Sequence, residues 1–276
     1  MKQEVNWLLE EKYKGIQTSE FKKDIKRLEK GEPLDYVIGF AEFLGCKIDL
    51  SKRPLIPRAE TEYWVKKAIT EDLRFKIYDL RVLDIFAGSG CIGISIMRHI
   101  KNAHVVFAEK DKKLLEQIKI NCKINHKIGH FNLHKNERMS DRYKIIQSDI
   151  FSKINLKSKI LPARQSLGAG GNLKSQGFDY IFANPPYIPT TKKNKIQKSV
   201  LKYEPKNALF GGADGLLYIR NFLADAKDFL NENGKIYMEF DSIQKNHIEK
   251  MLRGLKFQKY EFHKDQYGKW RHLVVQ

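Results

Sequence analysis

Arg81-Val82-Leu83-Asp84-Ile85-Phe86-Ala87-Gly88-Ser89-Gly90, continued by Cys91-Ile92-Gly93-Ile94, reads as a buried strand, a glycine turn and the start of a helix. Glycines let the backbone approach a ligand closely, and the first turn of the helix offers N–H groups without partners. The spacing is not the GxGxxG of a dinucleotide fingerprint, and no Lys-Ser/Thr pair follows as in a P-loop. Asp84, set before the turn, would repel a phosphate and suit the positive amino group of an amino-acid-like ligand. A cationic ligand is therefore expected on this turn.

Outward from this stretch, short apolar runs alternate with helical stretches, the pattern of βα repeats around a mostly parallel sheet. Strands are expected at 81–86, 104–109, 143–147, 178–183, 235–240, 256–262 and 270–275, the last two forming an antiparallel edge hairpin. Glu109 ends the second strand about 20 residues past the turn, where an acidic side chain accepts bonds from both ribose hydroxyls. Asp149 and Ile150 close the third, where a carboxylate can accept from an adenine amino group and an apolar side chain can cover the ring. The fourth runs into Asn184-Pro185-Pro186-Tyr187. Ligand chemistry in open α/β sheets gathers at such carboxyl ends. Each proline has a locked φ and no N–H, so the corner is rigid and holds an amide oxygen and a backbone carbonyl at fixed angles. Such a corner can grip an NH2 group.

Before the sheet, Trp7, Leu8 and Tyr13, then Phe21, Ile25 and Leu28, recur at the spacing of amphipathic helices. Gly31 and Pro33 stop the second helix, 36–50 reads as short strands around Gly39 and Gly45, and a helix should begin near Thr61 with Glu62 at its positive end. The division expected is a small helical docking domain at 1–50, a linker and connecting helix at 51–75, and a catalytic domain at 76–276. Residues 157–177, rich in Gly, Ser and Lys, have the composition of a flexible loop.

The 276 residues carry a formal charge of +18, unevenly placed. Residues 1–70 hold 14 Lys/Arg against 12 Asp/Glu, while 150–206 hold 11 against 2, so half of the net charge flanks the Asn184 corner. Such a basic collar could steer an anionic partner, giving a weak nucleic-acid contact through 150–206. The 39 Lys among 51 basic residues equally suit a Lys-rich proteome. Cys46, Cys91 and Cys122 lack the spacing of a disulfide framework or a zinc site, so no metal is expected and a reducing cytoplasm suits the chain. Glu4, Glu10 and Glu11 argue against a signal peptide, and no apolar stretch reaches the roughly 18 residues of a membrane span.

The turn, Glu109, Asp149 and the Asn184 corner, in this order, resemble a class I (Rossmann-like) S-adenosylmethionine-dependent methyltransferase. Three further segments narrow the resemblance: Pro54-Leu-Ile-Pro-Arg-Ala-Glu-Thr-Glu62, Gly90-Cys-Ile-Gly-Ile94, and Glu204-Pro-Lys-Asn-Ala-Leu-Phe-Gly-Gly-Ala-Asp-Gly215. Together they look like the peptide chain release factor glutamine methyltransferase family, which methylates the Gln of the Gly-Gly-Gln loop in class I release factors. The resemblance implies a seven-stranded sheet and S-adenosylmethionine as cofactor, leaving as S-adenosylhomocysteine. It implies cofactor contacts at Asp84, Phe86, Ala87, Gly88, Ser89, Gly90, Glu109, Asp149, Ile150 and Asn184, and acceptor contacts at Asn184, Pro185, Pro186, Tyr187 and Arg58. The chain departs from the family at Phe86-Ala87, where Gly-Thr is usual, so Phe86 is expected to meet the cofactor through its backbone alone. Glu239-Phe-Asp stands where Glu-Ile-Gly is common.

On this reading Asn184 Oδ1 and the Pro185 carbonyl take the two amide hydrogens of the acceptor glutamine, while Tyr187 covers the amide and excludes water. Two other readings remain open. The same corner could grip the exocyclic amine of a flipped base, making the chain a nucleic-acid N-methyltransferase with the collar on phosphates, or the fold could be kept as a non-catalytic binding module.

Overall fold

The structure is a computed structural model describing residues 1–76, 79–129, 138–156 and 177–276. The loop expected at 157–177 lies outside these, apart from Gly177, and so do Lys157, Lys159, Arg164 and Lys174 of the collar. In chain order come α1 (Lys2–Tyr13), α2 (Ser19–Glu29), α3 (Leu34–Ile38), β1 (Phe40–Phe43), β2 (Cys46–Asp49), α4 (Ala59–Glu71), β3 (Leu80–Ile85), α5 (Cys91–His99), β4 (Ala103–Glu109) and α6 (Lys112–Lys127). They are followed by α7 (Met139–Arg142), β5 (Tyr143–Gln147), β6 (Phe178–Ala183), α8 (Lys198–Tyr203), α9 (Leu217–Asp225), β7 (Leu230–Glu239), α10 (Lys245–Gly254), β8 (Tyr260–Lys264) and β9 (Trp270–Val275).

Seven strands form one sheet in the order β5-β4-β3-β6-β7-β9-β8. The first five are parallel, and β9 runs antiparallel to both β7 and β8. Alternation along each strand divides the core. Val82, Tyr180 and Phe182 face a layer built with α4, α5 and α6, whereas Leu83, Ile85, Ile181 and Ala183 face one built with α9 and α10. Strand order reverses between β3 and β6. The crevice outside their carboxyl ends is where such sheets bind ligands, and it brings the glycine turn beside Asn184.

The first three helices enclose a small core of Leu8, Phe21, Leu28, Val37 and Ile38. Its one buried acid, Asp24, is satisfied by Lys12 Nζ (2.7 Å), Tyr13 OH (2.8 Å) and Arg27 (2.8 Å). The β1–β2 hairpin, by contrast, contributes Ala41, Phe43, Cys46 and Ile48 to the large core. Its free edge is met by amides one helical turn apart on α6. Asn125 exchanges bonds with Lys47 N–H and C=O (3.0 and 2.8 Å), Asn121 accepts from Asp49 N–H (2.8 Å), and Gln117 accepts from Lys52 N–H (2.7 Å). One helix face thus substitutes for a missing strand. The hairpin therefore packs with the large core, apart from the small core of the helices.

Three element boundaries differ from expectation. Residues 36–38 belong to helix α3, which Gly39 ends in a left-handed turn (φ 100°) by donating to Asp35 C=O. Strand β7 starts at Leu230, and its pairing with β6 slips between Phe178 and Tyr180. Residues 256–259 are not strand: Lys256 adopts φ 57° and Phe257 N–H donates to Leu252 C=O (3.0 Å), the turn that closes α10. Among the described residues no helix is long and apolar enough to cross a membrane.

Candidate active site

A cavity of about 270 Å³ opens at the carboxyl ends of β3, β4 and β6. The glycine turn forms its floor. Phe86 has φ 59°, Gly88 55° and Gly90 77°, so three of five successive residues are left-handed. A phenylalanine there is strained, and its ring is held edge-on by Tyr218 (6.1 Å) and Phe222 (6.2 Å). Phe86, Ala87, Gly88 and Ser89 all line the cavity. Gly90 does not; it caps α5.

Glu109, at the end of β4, also lines the cavity and is 9 % exposed. Its Oε2 accepts from Gly88 N–H (2.8 Å) and its Oε1 from Asp111 N–H (2.8 Å). Burial pushes this carboxyl above its ordinary range, opposed by those N–H groups. An ionised carboxylate has about four lone-pair sites, so each oxygen can still accept a hydroxyl. Asp149 and Ile150 form the neighbouring wall. Ile150 is left-handed (φ 51°), its carbonyl taken by Ser148 Oγ–H (2.7 Å), while Asp149 pairs with Lys110 at 2.7 Å in an exposed setting.

Asp84 sits elsewhere. It is 1 % exposed within β3 and does not line the cavity. Its Oδ2 accepts from Gly93 N–H of α5 (2.9 Å), and among the described residues its Oδ1 has no hydrogen-bond partner. Burial pushes its pKa up to about 8, with Glu109 adding to the rise.

Asn184 and Pro186 line the opposite wall, and Pro185 and Tyr187 do not. Asn184 Nδ2 donates to Thr61 Oγ1 at 3.3 Å. Tyr187 is turned away from the cavity, its hydroxyl donating to Glu239 Oε1 at 2.9 Å. The corner is backed by the chain after it. Ile188 N–H donates to Leu209 C=O (2.9 Å) and Gly211 N–H to Ile188 C=O (3.0 Å). Gln244 Nε2 bridges Tyr187 C=O (2.9 Å) and Gly215 C=O (3.1 Å). A Cβ on Gly211 or Gly215 would strike the carbonyl of Pro186 or Tyr187, which explains the glycines in 204–215.

Two further segments, or straps, line the cavity. One is Leu55 to Arg58 and the other includes Asn207 and Ala208. Arg58 is held by the buried Glu204 at 2.6 Å, and Glu204 also accepts from Ile56 N–H (3.2 Å). Arg58 is therefore committed to a latch between the straps as well as facing the cavity. Lys193, Lys195, Lys198, Lys202 and Lys206 are exposed along the chain between Pro186 and Asn207. Among the described residues no three His, Cys, Asp or Glu side chains converge as a metal site would require.

Nothing in the sequence around Glu204 and Glu239 marks them as site residues; they stand there only within segments that carry the family resemblance. A buried carboxylate has no local signature; its partners lie 146 to 178 residues away for Arg58 and Thr61.

The family model described as Eco57I restriction-modification methylase matches residues 57–267. A release factor glutamine methyltransferase of Flavobacterium psychrophilum is 30% identical over 266 residues, covering 96% of this chain and 82% of the relative. That of Lactococcus lactis subsp. lactis is 32% identical over 251 residues, covering 91% and 79%. Among solved structures, the hMettl16 catalytic domain in complex with MAT2A 3'UTR hairpin 1 superposes with a TM-score of 0.56 at 16% identity, over 85% of this chain and 75% of that one. That last likeness is one of fold.

Proposed function

This chain belongs to the release factor glutamine methyltransferase family, and on that premise we propose that it methylates the side-chain N5 of the Gly-Gly-Gln glutamine in class I peptide chain release factors, in the cytoplasm, with S-adenosylmethionine as donor. The observation that carries the reading is that Asn184, its NH2 occupied by Thr61, shares one cavity with Glu109, whose carboxylate keeps lone pairs free. Glu109 suits a ribose diol, Asp149 and Ile150 suit an adenine, and the left-handed turn at 86–90 admits close backbone contact. These features fit the cofactor, which when bound supplies a methyl group on a sulfonium.

The rest falls to the chain. A glutamine amide nitrogen is a poor nucleophile because its lone pair is delocalised into the carbonyl, so the protein must orient it. Asn184 Oδ1 accepts one N–H, which aims the nitrogen; the Pro185 carbonyl, outside the cavity lining, takes the other only if it turns toward the acceptor. Alignment of this kind supplies about 7–11 kcal/mol in favourable intramolecular cases. No strong base is needed, since the nitrogen's proton becomes acidic as the new bond forms. Pro186 and the straps limit water at the reacting centre. Tyr187, expected to cover the amide, instead anchors the corner from behind through Glu239.

The test is transfer of labelled methyl to a purified class I release factor and to its Gln→Ala variant, with structured RNA and duplex DNA as rival acceptors. Label that vanishes with Gln→Ala supports the reading. The match to a restriction-modification methylase family and the exposed lysines favour one rival, methylation of a base amine held by the same corner. Label on nucleic acid alone, with binding that falls steeply with salt, would establish it.

A further inference from the structure

Asn184 offers an acceptor to the cavity only if its amide stands one way round, and the two ends of that amide have nearly the same shape. The choice is made by a chain of hydrogen bonds. Asn184 Nδ2 lies 3.3 Å from Thr61 Oγ1, and the single proton of that hydroxyl goes to Glu239 Oε2 at 2.6 Å. The same oxygen accepts from Trp64 Nε1–H at 2.8 Å, a group that can only donate. Tyr187 O–H takes Oε1 at 2.9 Å. Glu239 is 1 % exposed and Thr61 2 %, so water does not substitute for any of these partners.

We propose that Glu239 is a positioning residue: by accepting the Thr61 proton it leaves Thr61 Oγ1 with lone pairs only, which requires Asn184 to turn its NH2 toward Thr61 and its oxygen toward the acceptor. The reverse orientation would set two oxygens against each other without a proton between them. Through Tyr187 the same carboxylate holds the far end of the tetrapeptide. One buried acid, contributed by β7, thus sets both the polarity and the placement of a corner contributed by β6. This rests on the reading that Asn184 grips an acceptor NH2.

Thr61→Val keeps the side-chain shape without the hydroxyl, Thr61→Ser restores the hydroxyl, and Glu239→Gln replaces the pure acceptor with an amide. Each is assayed for kcat and KM with the release factor, for S-adenosylmethionine dissociation constant by calorimetry, and for Tm. Thr61→Val is expected to lower kcat about 10- to 100-fold, the cost of a misplaced reacting group, with cofactor affinity unchanged. Thr61→Ser should recover most of the loss, and Thr61→Val should add little on top of Glu239→Gln because both cut one chain. Wild-type kcat in Thr61→Val, or a Thr61→Ser variant no better than Thr61→Val, would overturn the proposal; so would losses in cofactor affinity as large as those in kcat. If Glu239→Gln does not fold, the Thr61 pair decides alone. Failure of the substrate reading is distinguishable: wild type would then label nucleic acid and not the factor, and the variants would be compared on that acceptor.

Discussion

Glu109 and Gly88, 21 residues apart, are joined by a 2.8 Å bond from the Gly88 N–H to Oε2. The bond ties the end of β4 to the left-handed turn after β3, so the residue we propose to hold a ribose also fixes the loop on which the rest of a cofactor would lie. Glu109 and Asn184 occupy opposite walls of one cavity and should separate cleanly by mutation. Glu109→Ala removes a charged acceptor, a loss of about 1.5–3 kcal/mol per hydrogen bond, and should weaken S-adenosylmethionine binding by one to two orders of magnitude in calorimetry. Asn184→Ala should abolish methyl transfer and leave that binding nearly intact. Equal loss of both functions in Asn184→Ala would sink its assignment to the acceptor.

Gly93 lies inside α5, where alanine ordinarily stabilises a helix by about 1 kcal/mol. Here an added Cβ would come within 2.8 Å of Val105 Cγ1 and would also meet the Phe107 ring, both on β4. Overpacking of that kind costs about 1–3 kcal/mol, so Gly93→Ala should lower the melting temperature. A raised melting temperature would show that β4 yields.

The Asp84 carboxyl, pushed up to about 8 by burial, keeps its proton in the folded chain and loses it in the unfolded one over the same pH range. Folding then binds a proton, so this group's contribution to stability is complete below its unfolded pKa of about 3.9 and declines as pH rises toward 8. Asp84→Asn, neutral throughout, should flatten the fall in melting temperature between acid and mildly alkaline pH. Parallel curves for the two proteins would show that Asp84 does not titrate in that window.

Arg58 and Glu204 latch the straps at 2.6 Å, with the Glu204 side chain buried and the Arg58 side chain 36 % exposed. Arg58→Ala leaves the Glu204 carboxylate with the Ile56 N–H as its donor among the described residues. Stranding a buried acceptor costs about 1–3 kcal/mol, and the straps should loosen. Expected outcomes are a lower melting temperature and weaker cofactor binding, while Arg58→Ala combined with Glu204→Gln should recover part of the stability. No recovery in the double variant would mean that the pair is not coupled.

Replacing Lys192, Lys193, Lys195 and Lys198 with Gln tests the collar. If it steers an anionic partner, association measured by stopped flow should slow at low ionic strength and converge with wild type as salt screens the field. An unchanged rate at low salt would return these lysines to compositional bias.

Most of the sheet could be read locally, because buried strands such as 178–183 are apolar runs broken by a single charge, Asp179, and the turn at 86–90 carries its own glycines. The errors fell where tertiary contact decides. Residues 36–38 have strand-like side chains, yet they are helical, and Val37 and Ile38 complete a three-helix core with Leu8 and Phe21. Lys256 ends a helix where propensity suggested a strand. Asp84, expected near a ligand from its strand position before the turn, lies off the cavity lining, where alternation and α5 bury it.

The sequence by itself determined the α/β class, the order of the strands along the chain, the glycine turn, Glu109 and the Asn184 corner, since each is written in contiguous residues with a period or a turn chemistry of its own. Only the tertiary structure decided that Thr61, Trp64 and Tyr187 converge on Glu239, that Arg58 closes on Glu204, and which way the Asn184 amide faces. Those outcomes depend on burial. A carboxylate removed from water must collect donors from whatever packs around it, and those donors come from segments 52 to 178 residues away, beyond the reach of any local pattern.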